Sequence, residues 1–139
     1  MIFDLSKPAH VAAEARLKEE PIAWLTTVNP AGQPQSSPIW FLWNGDEFLI
    51  YGSKSGSKTP NIKANPHVSL HLEGNKKGGD IVTIEGTARI DEAAPGLNDV
   101  AGYLAKYGAT IKAFGWTPEG MATDYPHVIR VVPTRVRVS

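Results

Sequence analysis

The sequence predicts a mainly β domain with short helices, an α+β arrangement in which antiparallel strands close into a barrel. Three observations predict it. Segments rich in β-branched and aromatic residues follow one another closely, most of them joined by turn residues. They do not alternate with long helices, which argues against a parallel, doubly wound sheet. The 139 residues hold no repeat, low-complexity tract or linker, so residues 1–139 read as one domain long enough to bury a core unaided.

The first stretch is predicted to be a helix. Asp4 or Ser6 can cap it, Pro8 suits its first turn, and Ala12, Ala13, Ala15 and Leu17 favour helix. It should stop near Glu20-Pro21, because the residue before proline avoids helical angles. Ile22 to Val28 is β-rich, and Asn29-Pro30-Ala31-Gly32 is a turn. Gln35 to Trp43 is the second strand. Pro38 removes a ladder donor from it, so this strand is expected at an edge or with a bulge. Asn44-Gly45-Asp46 turns the chain into a strand over Glu47 to Gly52. Thr59 as cap and Pro60 in the first helical position open a short helix that ends near Asn65-Pro66. His67 to Glu73 places Val68, Leu70 and Leu72 on one face of a half-buried strand. A loop over 74–79 leads into a long strand, Asp80 to Asp91. A second helix is expected from Pro95 to Tyr107, irregular chain over 113–124, and a last strand from Val128 to Val138. The total is about six strands and two or three short helices.

Composition narrows the function. Lysine plus arginine and aspartate plus glutamate number 14 each, so net charge is zero and nucleic acid is not expected as a bulk electrostatic partner. There is no cysteine, hence no disulfide and no thiolate chemistry. The four histidines lack metal-ligand spacing, so no metal site is predicted. No apolar run approaches the ~20 residues of a membrane span and no leader-like start is visible, so a cytoplasmic protein without a membrane partner is the expectation.

The most informative stretch runs from Tyr51 to Pro66. A strand ends there, a loop of small residues follows, and a helix opens. Gly52 and Gly56 permit close backbone approach, Ser53, Ser55 and Ser57 offer hydroxyls, and Lys54 and Lys58 add positive charge. A phosphorylated ligand suits such a corner. By composition alone it also reads as a solvated Gly/Ser/Lys loop, and no Walker signature is present.

Three segments, in order, change that balance. Gln33-Pro34-Gln35-Ser36-Ser37-Pro38-Ile39-Trp40-Phe41, the Lys58 to Pro66 segment and Ile84-Glu85-Gly86-Thr87-Ala88 together resemble the pyridoxamine-phosphate-oxidase-like split β-barrels that bind FMN or F420. The likeness covers Ile22 to Ile90, and the Pro-Ile-Trp-Phe-Leu-Trp strand is most similar to the actinobacterial F420-dependent reductases. The resemblance implies a six-stranded, Greek-key-like split barrel that forms a homodimer with cofactor clefts at the subunit interface. It implies a cofactor phosphate at residues 53–58 and a tricyclic ring along the second and third strands. The cofactor-binding residues it suggests are Ser37, Pro38, Ile39, Trp40, Gly52, Ser53, Lys54, Ser57, Lys58, Asn61 and Lys76. Trp40 is the candidate ring wall; Trp24, Trp43 and Trp116 read as core or interface. Lys76 and Lys77 would meet the anionic tail of F420, although a solvated loop is the plainer reading. Arg130, Arg135 and Arg137 read as the wet face of the last strand, with Arg130 the one that could turn inward.

One departure matters. Ser36 to Phe41 carries no arginine or lysine, unlike the matching strand of true pyridoxamine-phosphate oxidases, so vitamin B6 oxidation is not expected. The expected activity is F420-dependent hydride transfer to a conjugated small molecule such as an enone, quinone or tetrapyrrole. An FMN-binding oxidoreductase and a non-catalytic cofactor carrier are the alternatives. The cofactor carries the chemistry, so no catalytic side chain is assigned. Tyr125, Tyr51 or water would supply a proton.

Overall fold

A computed structural model describes residues 2–139. The helices are α1 (Pro8–Glu19), α2 (Lys58–Ala64), α3 (Ala101–Ala113) and α4 (Pro118–Asp124), with a single 3₁₀ turn at Leu97–Asp99. The strands are β1 (Ala23–Val28), β2 (Pro34–Ile39), β3 (Leu42–Trp43), β4 (Phe48–Gly52), β5 (His67–Leu72), β6 (Val82–Ile90) and β7 (His127–Val138). All pair antiparallel in one sheet of order β2-β1-β5-β6-β7-β4-β3.

The two edge strands of that sheet are neighbours in sequence. The predicted strand over residues 35–43 is interrupted at Trp40-Phe41, which is why seven strands are found rather than six. Its first half pairs with β1 and its second half with β4. The interrupted segment therefore joins the two edges and curls the sheet into a barrel. Pro38 lies opposite Trp24 in edge strand β2, where a missing donor is tolerated.

Burial follows the period of two along the strands. In β4, Phe48 and Ile50 point into the barrel, where Leu25, Leu70, Ile84 and Val131 join them and α1 adds Ala13 and Leu17. Leu49 and Tyr51 point the other way, into a second apolar cluster made with Leu97, Tyr103, Tyr107, Ile111 and Met121. Every residue of β4 is buried because both of its faces are covered. Between β6 and β7 the register shifts: Glu85 faces Arg135 but Gly86 faces Pro133. Thr134 is the extra residue, and its hydroxyl donates to the Glu85 carbonyl at 3.1 Å. A Cβ on Gly86 would stand 2.8 Å from Val131 Cγ1 and 2.9 Å from the Val132 carbonyl, so this position requires glycine.

Four expectations are corrected. Neither Asp4 nor Ser6 caps α1; the cap position is Lys7, and the Asp4 carboxylate instead accepts from the Ser6 amide and hydroxyl. α2 starts before Thr59, after Ser57, and Thr59 is buried within it beside Gly52. The helix expected over Pro95 to Tyr107 is divided into the 3₁₀ turn and α3, which runs on to Ala113. The stretch expected to be irregular contains α4, whose Thr117 hydroxyl accepts from the Gly120 amide at 3.0 Å. No helix among the described residues is long and apolar enough to cross a membrane.

Candidate functional site

The ends of β2 and β4, the start of α2, and the α3–α4 segment surround a cleft of about 390 Å³. That lies within the size range of small-molecule sites. Pro38, Ile39 and Trp40 come from β2 and the residue after it. Tyr51, Gly52 and Ser53 come from the end of β4, and Lys58 from the first residue of α2. Six residues singled out in the sequence thus share one wall: Pro38, Ile39, Trp40, Gly52, Ser53 and Lys58.

The other five lie off that wall. Ser37 is half-buried in β2 opposite Leu25. Lys54 is exposed, and its amide donates to the Asp124 carbonyl at 3.2 Å, tying the β4 end to α4. Ser57 is exposed ahead of α2. Asn61 is buried, and its Nδ2 donates to Thr27 Oγ1 and to Gln35 Oε1, each at 3.0 Å. It anchors α2 to β1 and β2. Lys76 is exposed in the β5–β6 loop, with a left-handed φ of 66°.

The far wall comes from the C-terminal third. Tyr103, Phe114, Trp116, Met121 and Tyr125 face the cleft from α3, α4 and the chain around them. Phe114 and Trp116 pack on each other at 4.9 Å and stay about half exposed, at 58% and 50%. Trp116 therefore borders this chain's own cleft rather than the core. Of this wall the sequence singles out only Tyr125, as a proton source, and Trp116, as core or interface; the rest goes unread because 113–124 reads as irregular. The signal was present: Thr117-Pro118-Glu119 is a cap, a first-position proline and a first-turn acid.

Charge is unevenly satisfied around the cleft. Arg130 is bound by Asp91, Nε to Oδ2 at 2.7 Å, and by Glu47, Nη1 to Oε1 at 2.9 Å. The guanidinium hydrogen bond holds the Asp91 carboxyl below its ordinary range. Lys58 differs. It is half-buried, burial pushes its ammonium pKa down, and it takes part in none of the five ion pairs among the described residues. A half-buried cation without a carboxylate favours an anionic ligand. The Tyr51 phenol is pushed up to about 12, by burial first, with Arg130 acting against it. Its hydroxyl donates to the Pro95 carbonyl at 3.2 Å, so it remains a protonated phenol at neutral pH.

A sequence profile of the pyridoxamine 5'-phosphate oxidase family matches residues 9–139. The chain belongs to this family. Solved structures are similar over most of their length. One is an F420 reductase, 26% identical, with 89% of this chain and 94% of that chain covered and a TM-score of 0.65. A conserved hypothetical protein from Mycobacterium tuberculosis is 24% identical over 94% of this chain and 82% of that chain, at a TM-score of 0.71. HutZ, the heme storage protein from Vibrio cholerae, is 18% identical over 92% of each chain, at 0.64. At such identities the last two speak for the fold alone. The same mainly β, antiparallel fold thus serves proteins as different as an F420 reductase and a heme storage protein.

Proposed function

We propose that this protein is an F420-dependent reductase that holds the deazaflavin in the cleft and reduces a conjugated small molecule such as an enone, quinone or tetrapyrrole. The observation that carries this reading is Lys58, a half-buried cation without an ion-pair partner among the described residues, which lines a cleft also walled by Trp40, Trp116 and Tyr125. The donor set fits the group: an ammonium for a phosphate and flat apolar walls for a ring. The similar F420 reductase, at 26% identity, supports the choice of cofactor. When bound, a reduced deazaflavin supplies hydride.

The chain's own residues would bind, orient and exclude water. Lys58 would neutralise the phosphate, and Trp40 would set the plane of the ring. Tyr51 donates its proton to Pro95 O, whereas Tyr125 lines the cleft with no side-chain hydrogen bond among the described residues. Tyr125 or water is therefore the better proton source. No histidine among the described residues lines the cleft.

FMN is the second reading, because Lys58 would serve either phosphate. The deciding experiment titrates the purified protein with oxidised F420 and with FMN, side by side, by cofactor fluorescence. Tight F420 and weak FMN binding supports the proposal. The reverse order moves the protein to flavin chemistry, and binding of neither removes the cofactor reading. A bound cofactor without turnover of any acceptor would leave a carrier. The reading also takes the protein as a homodimer, which sedimentation tests directly.

A further inference from the structure

We infer that Lys106 and Tyr107, neighbours on α3 that do not line the cleft, are positioning residues that set its Trp40 wall. The inference takes the cleft as the cofactor site proposed above. Its starting point is the break in the barrel. Trp40 and Phe41 lie between β2 and β3 and make no ladder pairs, yet Phe41 is fully buried. Buried backbone groups without a ladder need other partners. Here α3 provides them. The Phe41 amide donates to the Tyr107 hydroxyl at 2.9 Å, and the Phe41 carbonyl accepts from Lys106 Nζ at 2.9 Å.

The Tyr107 hydroxyl has one proton to give. Its shorter contact is to the Pro21 carbonyl at 2.6 Å, against 3.1 Å to the Phe41 carbonyl. It therefore accepts from Phe41 and donates to Pro21, bridging two segments that border the cleft. One carries Trp40, and the other carries Ile22. The ring of Tyr107 also lies parallel to Trp40, at 4.5 Å between centroids and 1° between planes. The Lys106 ammonium sits 3.7 Å over the Phe41 ring. Among the described residues, every side-chain hydrogen bond to the break comes from these two side chains, as does the stack on Trp40, while the Phe41 ring also packs on Phe48 at 5.8 Å. A wall held on rigid, hydrogen-bonded support keeps its ligand geometry; one left loose loses it.

The test uses the full chain and the variants Tyr107→Phe, Lys106→Met and Lys106→Arg. Tyr107→Phe keeps the stacked ring and removes only the hydroxyl. Lys106→Met keeps the apolar stem and removes the donor, and Lys106→Arg restores a cationic donor. A Trp40→Phe difference spectrum first isolates the Trp40 contribution to the near-ultraviolet circular dichroism of the protein without cofactor. Tyr107→Phe and Lys106→Met are expected to alter that contribution while the far-ultraviolet spectrum keeps its native form, and Lys106→Arg to recover it. The same two variants are expected to bind the preferred cofactor at least about ten-fold more weakly, with Lys106→Arg near the parent. A Trp40 signal unchanged in both variants, or parent affinity in both, overturns the inference and leaves these residues with a stabilising role only. If the parent binds neither FMN nor F420, the functional proposal fails separately. The dichroism alone then decides whether the pair sets Trp40.

Discussion

At the scale of the residue, the cleft is defined by which side chains are left unsatisfied. Arg130 is neutralised by Asp91 and Glu47, and the Asn61 amide is committed to Thr27 and Gln35. Lys58 has no such partner among the described residues. Lys58→Ala should weaken cofactor binding by about 1–3 kcal/mol, the worth of a charge-assisted bond in a partly buried place. Fluorescence titration measures it, and parent affinity in the variant would move the phosphate elsewhere. Two of the three tyrosines that line the cleft, Tyr125 and Tyr51, should separate in the same way. Tyr125→Phe should slow turnover if that hydroxyl delivers the proton. Tyr51→Phe removes a hydroxyl already bonded to Pro95 O and should act mainly on stability. Equal losses of kcat in both variants would point to a shared structural effect rather than proton delivery.

At the scale of the element, local pattern and tertiary force divide the fold between them. β5 was legible because Val68, Leu70 and Leu72 alternate in sequence and are buried on one face. Gly86 was legible as part of a motif, and the structure supplies the reason: the bulge brings Val131 and the Val132 carbonyl too close for a Cβ. Gly86→Ala should destabilise the protein by about 1–3 kcal/mol as an overpacked site, read as a lower urea midpoint. α4 was legible in principle through Thr117-Pro118-Glu119 and was passed over. Thr117→Ala should cost about 1 kcal/mol and speed amide exchange within α4. Because α4 carries Met121 and leads into Tyr125, both on the cleft wall, ligand affinity should fall with it. The break at Trp40-Phe41 was not legible. Its residues are good strand formers, and the break is supported by a hydroxyl 66 residues away in sequence. The near half of the cleft could be read because β2, β4 and the start of α2 lie within one stretch of chain. Of the far half only Tyr125 was singled out for the site, because only folding carries α3 and α4 to the cleft.

At the scale of the whole molecule, α3 couples the barrel closure to the second apolar cluster, and the coupling has a pH signature. Burial pushes the Lys106 ammonium down to about 8, with Glu20 acting against the shift. Below that value Lys106 is charged in both folded and unfolded chains, and the burial penalty acts in full. Between about 8 and the ordinary lysine value of 10.5 the unfolded chain binds more protons, so stability rises with pH. The phenols oppose this at higher pH. Tyr51 is raised to about 12, and Tyr103 and Tyr107 are raised as well, each chiefly by burial. Their folded forms keep protons that the unfolded chain releases above the ordinary tyrosine value of 10.0, so stability falls from there upward. Lys106→Met removes the first effect and leaves the second. Thermal melts of the parent and this variant at pH 7, pH 9.5 and pH 11 separate the two. The parent should gain on the variant between the first two values, and both should lose stability at the third. A parent–variant difference that stays constant from pH 7 to 9.5 would mean that Lys106 titrates as an ordinary surface lysine, and that the barrel closure does not bury its charge.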